Sequence, residues 1–247
     1  MLAIIGGSGL SRLSALEITH RQVVRTPYGE PSCALAFGRI AEHTVVFLAR
    51  HGYGHSLAPH EINYRANIWA LAEVGVKHVI AVSAVGGIRQ DMMPGQLVIP
   101  DQLIDYTSGR GHTFYEGPGV PVVHADFTWP YDDRLRQRLI STAANLQLST
   151  VAQATYAVTQ GPRLESAAEI RRIARDGGDI VGMTGMPEAA LAREKQLAYA
   201  SLAIVSNWAA GVDDSAQEIH FRTFAPQFEA ALDQAQCLIQ EVISGGV

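Results

Sequence analysis

Two basic side chains, Arg50 and His51, directly follow the apolar run Thr44–Ala49 and are the first sign of chemistry in the chain. Two serines, Ser8 and Ser83, follow other apolar runs, each with glycines nearby. Glycines let backbone N–H groups approach an anion, hydroxyls donate hydrogen bonds to it, and an arginine supplies a forked positive charge. Together these residue types predict a phosphate-binding site.

Each of these signals also has a structural alternative. The glycine-rich run at positions 6–9 is also what a tight turn between a strand and a helix requires. Thr184 precedes a predicted helix, so its hydroxyl either caps that helix or binds an anion there. Asn207 ends an apolar run, where it is either a turn residue or a polar group of the site.

Other functional motifs fail on inspection. The dinucleotide fingerprint G-x-G-x-x-G has Arg12 in place of its last glycine, and the nucleophile elbow G-x-S-x-G has Leu10 at its final position. His51, His55 and His60 are spaced by four and five residues in a loop rich in glycine and proline. That spacing fits no standard zinc site, so no metal is expected.

The elements that must position these residues are short β-branched runs separated by helical patterns. The predicted strands are Ala3–Ile5, Thr44–Ala49, His78–Val82, Val98–Ile99, Thr155–Thr159 and Ser201–Val205. The predicted helices are Glu61–Glu73, Asp132–Leu146, Ser166–Ala174, Pro187–Glu194 and a last one from about Pro226 to Ile243. This alternation predicts a single α/β domain over residues 1–247, with a mixed, largely parallel central sheet flanked by helices. In such sheets, ligands bind beyond the carboxyl ends of the strands.

Composition excludes several classes of protein. The chain has 247 residues, of which 47% are hydrophobic and only 17% charged, so it can bury a sizeable core and is neither disordered nor fibrous. Its net charge of −5 argues against a nucleic-acid binder and requires any bound anion to be held locally.

Targeting signals are not evident. No apolar run reaches the ~18 residues that span a bilayer, and the first residues lack the basic region of a signal peptide. The two cysteines, Cys33 and Cys237, form no motif. These features predict a cytoplasmic protein without membrane association.

Several segments occur in a specific order along the chain. They are Arg50-His51-Gly52, the run at 63–71 (NYRANIWAL), Leu103-Ile104-Asp105, Gly161-Pro162-Arg163, Gly182-Met183-Thr184, Pro187-Glu188 and Leu191-Ala192-Arg193-Glu194. Read together, they resemble the methylthioadenosine phosphorylase branch of the trimeric purine nucleoside phosphorylase family, with matches over residues 1 to about 208. The resemblance implies a homotrimeric pentosyltransferase that cleaves a purine nucleoside with inorganic phosphate as co-substrate and needs no cofactor.

The resemblance also implies roles for particular residues. The residues that resemble the family's phosphate site are Ser8, Arg50, His51, Ser83, Ala84 and Thr184. Met183 resembles the residue that packs against the ribose. The residues that resemble the base site are Leu164, Glu165, Asn207, Trp208 and Ala209. Of all these, Arg50, His51 and Asn207 are expected to act in the reaction itself.

Two departures from the adenine-specific relatives concern the purine. Those relatives carry aspartates at the end of the last strand and a serine where Glu165 stands. The amide of Asn207 donates to N7 and O6 of a purine, and Glu165 accepts from N1–H, which suits a 6-oxopurine such as hypoxanthine. Such pairing can reject the wrong analogue by ~10⁴-fold. The expected substrate is 5′-methylthioinosine, with inosine or guanosine, and then methylthioadenosine, as alternatives.

The 5′ substituent depends on an ambiguous stretch of the resemblance. Relatives that prefer a 5′-hydroxyl place a histidine near the last helix, and methylthio-specific ones place an apolar residue. The candidates are His220, Phe221 and Phe224. A helix cap at Thr223 brings Phe224 into the pocket and favours methylthio, whereas a shorter gap brings in His220 and favours inosine. We take the apolar alternative. His124 resembles a histidine that reaches the 5′ side from a neighbouring subunit, or it is a surface loop residue.

Two other classes of function compete with a phosphorylase. One is a non-catalytic, anion-binding α/β protein, and the other is a hydrolase that uses water in place of phosphate. Arg50, together with three hydroxyl positions, argues against both.

Overall fold

The computed structural model describes residues 1–7, 10, 13–219 and 225–246. Its strands are β1 (Leu2–Gly6), β2 (Glu17–Gln22), β3 (Leu35–Ile40), β4 (His43–Ala49), β5 (His78–Gly87), β6 (Leu97–Val98), β7 (Gln102–Asp105), β8 (Thr150–Val151), β9 (Thr155–Val158), β10 (Ile180–Gly182) and β11 (Ala198–Trp208). Its α-helices are α1 (Tyr64–Glu73), α2 (Asp133–Asn145), α3 (Ala167–Arg175), α4 (Glu188–Glu194) and α5 (Ala225–Ser244), with a 3₁₀ turn at Asp213–Ser215. None of these helices is long and apolar enough to cross a bilayer.

The strands form one mixed sheet in the order β2-β3-β4-β1-β5-β10-β9-β7. β1 pairs in parallel with β4 and β5, and β11 runs parallel along β5 while β6 links it to β8. The antiparallel pairs are β2 with β3, β3 with β4, β5 with β10, and β6 with β11. The predicted fold class, a mixed and largely parallel sheet with flanking helices, is confirmed.

The sheet is covered on both faces, which explains why its central strands read as unbroken apolar runs. In β1, Ile5 packs into one core cluster, which includes residues of α1 and α4, and Ile4 packs into another, which includes residues of α2 and α5. Adjacent residues of a strand point to opposite faces, so both must be apolar. The central strands are therefore rigidly held, and the carboxyl ends that carry polar groups are fixed in position.

Local capping signals place the helix boundaries. The Ser166 side chain and Glu169 form the predicted capping box at the start of α3, and Asp132 accepts from the Leu135 N–H at the start of α2. α1 begins at Tyr64, three residues later than predicted, because the side chain of Asn63 caps it there.

Two predicted strands are longer in the structure. We expected the run His78–Val82 to end in a turn at Ser83, but β5 continues to Gly87 because its last residues pair with β11 and β10. That expectation was wrong. β11 likewise extends to Trp208, so Asn207 is a strand residue and the turn alternative is wrong.

Two strands that we did not predict form the edge next to β4. β2 is exposed along its whole length and polar, with the sequence EITHRQ, so no apolar pattern marks it. β3 joins it to the sheet as an antiparallel partner of both β2 and β4.

Candidate active site

A cavity of about 380 Å³ lies where β5, β10 and β11 come together. These strands contribute the segments Ser83–Gly86, Val181–Gly182 and Ser206–Asn207 to its wall. The start of α5 closes another side with Ala225, Phe228 and Glu229. The topology therefore collects polar groups from distant parts of the chain around one concave space, as a small-molecule site requires.

Arg50, which follows β4, lines this cavity and is fully buried. Its Nε and Nη2 donate to the two carboxylate oxygens of Glu188 at 2.7 and 2.8 Å, and its Nη1 donates to the Val82 carbonyl at 2.8 Å. Tyr199 donates its hydroxyl to the same carboxylate at 2.8 Å. Burial alone would lower the pKa of Arg50, but the attraction of the Glu188 carboxylate raises it above its ordinary value.

This ion pair changes the electrostatics of the predicted phosphate site. The Arg50 guanidinium, which we predicted to bind an anion, is already paired with the Glu188 carboxylate. The two side chains together therefore carry no net charge. Within the part of the chain that the structure describes, three of the five guanidinium N–H groups have acceptors, which leaves one N–H on each of Nη1 and Nη2. A Cβ on Gly7 would lie 2.9 Å from Nη1, so only glycine lets the backbone approach the guanidinium this closely. Arg50 is thus a rigid hydrogen-bond donor rather than a free cation.

His51 lines the cavity as a neutral ring. Its Nδ1 lies 2.8 Å from the Leu57 carbonyl, which only accepts, so Nδ1 carries the proton and Nε2 is left as an acceptor. Burial lowers the pKa of His51 to about 4, the Leu57 carbonyl opposes that shift, and Arg50 and the stacked ring of His55 add to it. His51 is therefore uncharged at neutral pH.

Ser83 and Thr184 form a pair of hydroxyls in the same wall. Their oxygen atoms lie 3.2 Å apart, and both side chains are buried. Ala84, beside Ser83 on β5, also lines the cavity. Thr184 does not cap the following helix, since the N-cap residue of α4 is Pro187 and makes no side-chain cap bond. The capping alternative is wrong, and the Thr184 hydroxyl faces Ser83 instead.

Glu165 lines the cavity from the segment that follows β9. The Thr159 hydroxyl donates to its Oε1 at 2.5 Å, which fixes one oxygen of the carboxylate and leaves the other to accept from a ligand. Leu164 and Met183 line the same region. Glu165, which we predicted to bind the base, thus lies in the cavity with a carboxylate oxygen available as an acceptor.

Asn207 lies across the cavity wall and is buried. Its Nδ2 donates to the Trp208 carbonyl at 2.7 Å, and its Oδ1 accepts from the Ser206 hydroxyl at 2.6 Å. Because a carbonyl cannot donate, the atom next to Trp208 must be the nitrogen, so the orientation of the amide is determined. One Nδ2–H remains to donate to a ligand.

A register shift in β11 explains how two consecutive residues reach one cavity. The pairing of β11 with β5 shifts between Val205 and Asn207, and both Ser206 and Asn207 line the cavity. In a regular strand, neighbouring side chains point to opposite faces, whereas a bulge redirects one of them. The irregularity brings the Ser206 hydroxyl to the Asn207 amide that it orients.

The remaining candidates divide into three groups. Ala209 lines the cavity, whereas Trp208 is buried behind it and takes part through its carbonyl. His124 is exposed in the long segment between β7 and α2 and does not line the cavity of its own chain. The four candidates that lie outside the described residues are Ser8, His220, Phe221 and Phe224.

Sequence reasoning assigned no role to several residues of the site, among them Glu188, Ser206 and Phe228. Glu188 is the partner of Arg50; it was noticed as part of the segment Pro187-Glu188 at the start of a helix, but neither signal indicated that pairing. Ser206, which orients the amide, could have been suspected from its place beside Asn207. Phe228 lines the cavity from α5, and its apolar type gave no signal because the helix needs such residues for packing.

No group of three or more His, Cys, Asp and Glu side chains that could hold a metal ion occurs in the part of the chain that the structure describes. His51 and His55 stack with ring centroids 4.2 Å apart, and His60 is exposed. The histidine spacing that we considered for a metal thus corresponds to ring packing at the edge of the cavity.

The chain is similar in sequence and in fold to known proteins. The sequence profile of the phosphorylase superfamily matches residues 1–244. The chain belongs to this superfamily. The match extends past residue 208, where the resemblance in the sequence had faded. The family resemblance predicted from the ordered motifs is confirmed.

Individual members of the superfamily are similar to this phosphorylase over most of its length. A protein of Xanthomonas campestris pv. campestris, named a probable S-methyl-5′-thioinosine phosphorylase, is 52% identical over 244 residues, which are 99% of this chain and 97% of the relative. The 6-oxopurine nucleoside phosphorylase of Pyrococcus furiosus is 51% identical over 216 residues, 85% of this chain and 80% of the relative.

A solved structure supports the fold. Methylthioadenosine phosphorylase from Schistosoma mansoni, in complex with adenine, superposes on this phosphorylase with a TM-score of 0.93 at 32% identity. The match covers 98% of this chain and 90% of the other.

Proposed function

We propose that this protein catalyses the phosphorolysis of a 6-oxopurine nucleoside, and that its substrate is 5′-methylthioinosine. The products are hypoxanthine and 5-methylthioribose 1-phosphate. The observation that carries the proposal is the pair of Glu165 and Asn207 in one cavity, where one side chain accepts and the other donates. The two relatives described above, whose names specify a thioinosine and a 6-oxopurine nucleoside, are 52% and 51% identical to this chain, which supports the same conclusion.

The hydrogen-bond pattern explains the preference for an oxo group. Hypoxanthine presents an N1–H donor and an O6 acceptor, which match the Glu165 carboxylate and the free Nδ2–H of Asn207. Adenine presents the opposite pattern, an N1 acceptor and a 6-amino donor. It would face a carboxylate with no proton to give and an amide N–H, so polar groups would be buried unpaired.

The reaction needs no covalent bond to the protein. As the C1′–N9 bond breaks, its electron pair moves to the purine and positive charge develops on the ribose, as in glycoside cleavage. A phosphate oxygen of HPO₄²⁻ then bonds to C1′, and the proton that the phosphate loses balances the one that the departing purine takes up to become hypoxanthine. Asn207 donates to the purine as it becomes more negative, while Arg50, Ser83 and Thr184 hold phosphate by hydrogen bonds. The protein contributes orientation and preorganised donors.

The wall formed by the start of α5 supports the methylthio group over a hydroxyl. Phe228, Ala225 and Ile219 present apolar surface to the cavity. A thioether buried against such residues is stabilised by the hydrophobic effect, whereas a 5′-hydroxyl would lose its hydration there. Glu229 in the same wall is the observation that favours inosine, since its carboxylate can accept from a 5′-hydroxyl.

One comparison of substrates tests the proposal. We expect kcat/KM to be highest for methylthioinosine among methylthioinosine, methylthioadenosine, inosine and guanosine, when all are assayed with saturating phosphate. Base release should stop when phosphate is omitted. Higher activity on either adenine-type nucleoside than on its oxo counterpart would refute the assignment of Glu165 and Asn207, and equal release without phosphate would indicate a hydrolase.

The assembly and location follow from the family and are part of the proposal. We expect a homotrimer with three times the 26.6 kDa mass of the chain, measurable by analytical ultracentrifugation. In that assembly His124 would approach the cavity of a neighbouring subunit. Both cysteines, Cys33 and Cys237, are free thiols, which fits a reducing cytoplasm, and cell fractionation would test that location.

A further inference from the structure

Arg110 lies in the irregular segment between β7 and α2, and only 8% of its surface is exposed. Its Nη1 donates to the carbonyl oxygens of Met183 at 2.8 Å and Met186 at 2.5 Å. Its Nη2 donates to the carbonyl oxygens of Gln160 at 2.8 Å and Thr159 at 3.4 Å, and its Nε to the Gln160 side chain at 3.2 Å. One guanidinium thus joins two backbone segments.

Each of these segments carries one end of the cavity. Residues 159–160 lead into the segment with Glu165, and Thr159 itself donates to the Glu165 carboxylate. Residues 183–186 include Thr184, whose hydroxyl faces Ser83, and lead into the helix that begins with Glu188. Arg110 does not line the cavity and lies behind the two segments that do.

The two segments follow the paired strands β9 and β10, and they also touch each other directly beyond those strands. A Cβ added at Gly161 would overlap the thioether of Met183, so the backbone after β9 lies directly against that side chain. The Arg110 side chain in turn packs over the Tyr64 ring, with 5.3 Å between the guanidinium carbon and the ring centroid, and reaches the Tyr64 hydroxyl at 3.3 Å. Arg110 is therefore itself anchored to α1, in the core.

The charge of Arg110 is not balanced by a neighbouring acid. Within the described residues, none of the ion pairs includes Arg110. Burying a cation without a carboxylate is unfavourable, and backbone oxygens compensate only when they match the donor geometry. A planar fork with five N–H groups satisfies carbonyls on two sides at once, whereas the single ammonium of a lysine cannot span them. The arrangement depends on the shape of arginine and not on charge alone.

We propose that Arg110 is a positioning residue that fixes the base-reading segment relative to the phosphate-binding segment. It acts through Glu165 and Thr184 and does not touch either substrate. This inference rests on the proposed function, because it assigns Glu165 to the purine. Its consequence is that Arg110 determines how well the enzyme distinguishes a 6-oxopurine from a 6-aminopurine.

The chain contains a matched control in Arg136 on α2. Arg136 is also 8% exposed, and it also donates to backbone carbonyls, those of Pro100 at 2.9 Å and Ala152 at 2.6 Å. It differs from Arg110 in a long ion pair with the exposed carboxylate of Asp133, at 3.5 Å. It lies away from the cavity. A substitution of Arg136 therefore reports what a buried arginine contributes to stability alone.

The test compares Arg110→Lys with Arg136→Lys in the full-length enzyme. For Arg110→Lys we expect kcat/KM for methylthioinosine to fall about 100-fold, the scale of a 1 Å misplacement. We also expect the ratio of kcat/KM values for methylthioinosine and methylthioadenosine to fall at least about 10-fold, because the discriminating bonds are misaligned. Arg136→Lys should leave that ratio within about threefold of the wild type even if it lowers the melting temperature equally. An unchanged ratio in a folded Arg110→Lys enzyme would overturn the inference.

Gln160→Leu keeps the test valid if Arg110→Lys does not fold. This substitution removes the side-chain acceptor of Arg110 Nε without altering a buried charge, and a smaller fall in the same ratio is expected. A Gln160→Leu enzyme with the wild-type ratio would then overturn the inference. Failure of the proposed function is recognised separately, since the wild type itself would then lack phosphorolysis or prefer the 6-amino substrate.

Discussion

The two ends of the cavity are built differently. At the phosphate end, Arg50, Glu188 and Ser83 are almost completely buried and lie on, or directly after, central strands and core-packed helices. At the base end, Leu164 is 39% exposed and Glu165 is half-buried, and both lie in an irregular segment. The residues proposed to bind phosphate thus lie in the core, whereas the residues proposed to bind the base are divided between this irregular segment and Asn207, which is buried on β11.

This difference indicates which residues can be substituted to change substrate specificity without a large loss of stability. Groups in the core are part of a closed hydrogen-bond network, so altering one leaves another unsatisfied. Groups on an irregular segment have fewer packing partners and can change with little loss of stability. We therefore expect mutations of the buried groups to reduce stability and activity together, and those on the irregular segment with Leu164 and Glu165 to alter selectivity with little loss of stability.

The largest effect is expected from Glu188→Leu, which leaves the charge of Arg50 buried without a partner. Breaking a buried ion pair in this way costs about 3–5 kcal/mol, so the urea midpoint should fall steeply and phosphorolysis should be lost. Tyr199→Phe is the matched control, because it removes one hydrogen bond to Glu188 and keeps the ion pair, at about 1 kcal/mol. Equal losses in the two variants would contradict the importance of the ion pair.

Asn207→Asp should alter selectivity, and it should also lower stability, because a carboxylate cannot donate to the Trp208 carbonyl as the buried amide does. An ionised aspartate only accepts hydrogen bonds, so the donor to O6 disappears and the 6-amino group gains an acceptor. We expect the ratio of kcat/KM values for methylthioinosine and methylthioadenosine to shift toward the latter on the order of 10²-fold. The KM for phosphate should change little. If the ratio does not move, the specificity lies elsewhere in the cavity.

The buried His51 predicts a pH dependence of stability. Burial lowers its folded-state pKa to about 4, below the ordinary 6.5, so the unfolded chain binds more protons in this interval. This contribution is complete above about pH 6.5 and is lost as the pH falls toward 4, with a slope of at most about 1.4 kcal/mol per pH unit. Urea unfolding between pH 4.5 and 7.5 should show a smaller slope for His51→Gln than for the wild type. A variant of the exposed His60, His60→Gln, should keep the wild-type slope.

The smallest effect is expected from Thr159→Val, which removes the hydroxyl that donates to Glu165. A single hydrogen bond of this kind corresponds to about 1 kcal/mol, or roughly fivefold in kcat/KM for methylthioinosine. Thr107→Val serves as the control, because the Thr107 hydroxyl is buried and has no hydrogen-bond partner among the described residues. If Thr159→Val changed the KM for phosphate as much as the KM for the nucleoside, the two ends of the cavity would not act separately, and the difference between them would be contradicted.

The central strands of the sheet can be predicted from the sequence, because strands that are buried on both faces, such as β1 and β4, are continuous apolar runs. It fails where tertiary pairing decides the structure. Ser83–Gly87 has the composition of a turn, yet it continues β5 because β11 and β10 satisfy its backbone. The polar edge strand β2 leaves no pattern at all.

The candidate site shows the same limit at the level of side chains. Residue types alone brought Arg50, His51 and Ser83 into one hypothesis, and all three line the cavity. They did not indicate that Glu188, 138 positions later, would occupy the fork of Arg50. Pairing between residues so distant in the chain is a property of the fold, and no local spacing encodes it.

The neutrality of the Arg50–Glu188 pair has a consequence for the kinetics of phosphate capture. The chain has a net charge of −5, and Glu188 compensates the charge of Arg50, so the protein as a whole repels an incoming dianion at long range. Steering by attraction is what makes association rates fall as salt is added. Here, ionic strength should leave the rate constant almost unchanged, or raise it slightly by screening the overall repulsion. The rate of phosphate binding should therefore depend on the phosphate concentration and hardly on the ionic strength.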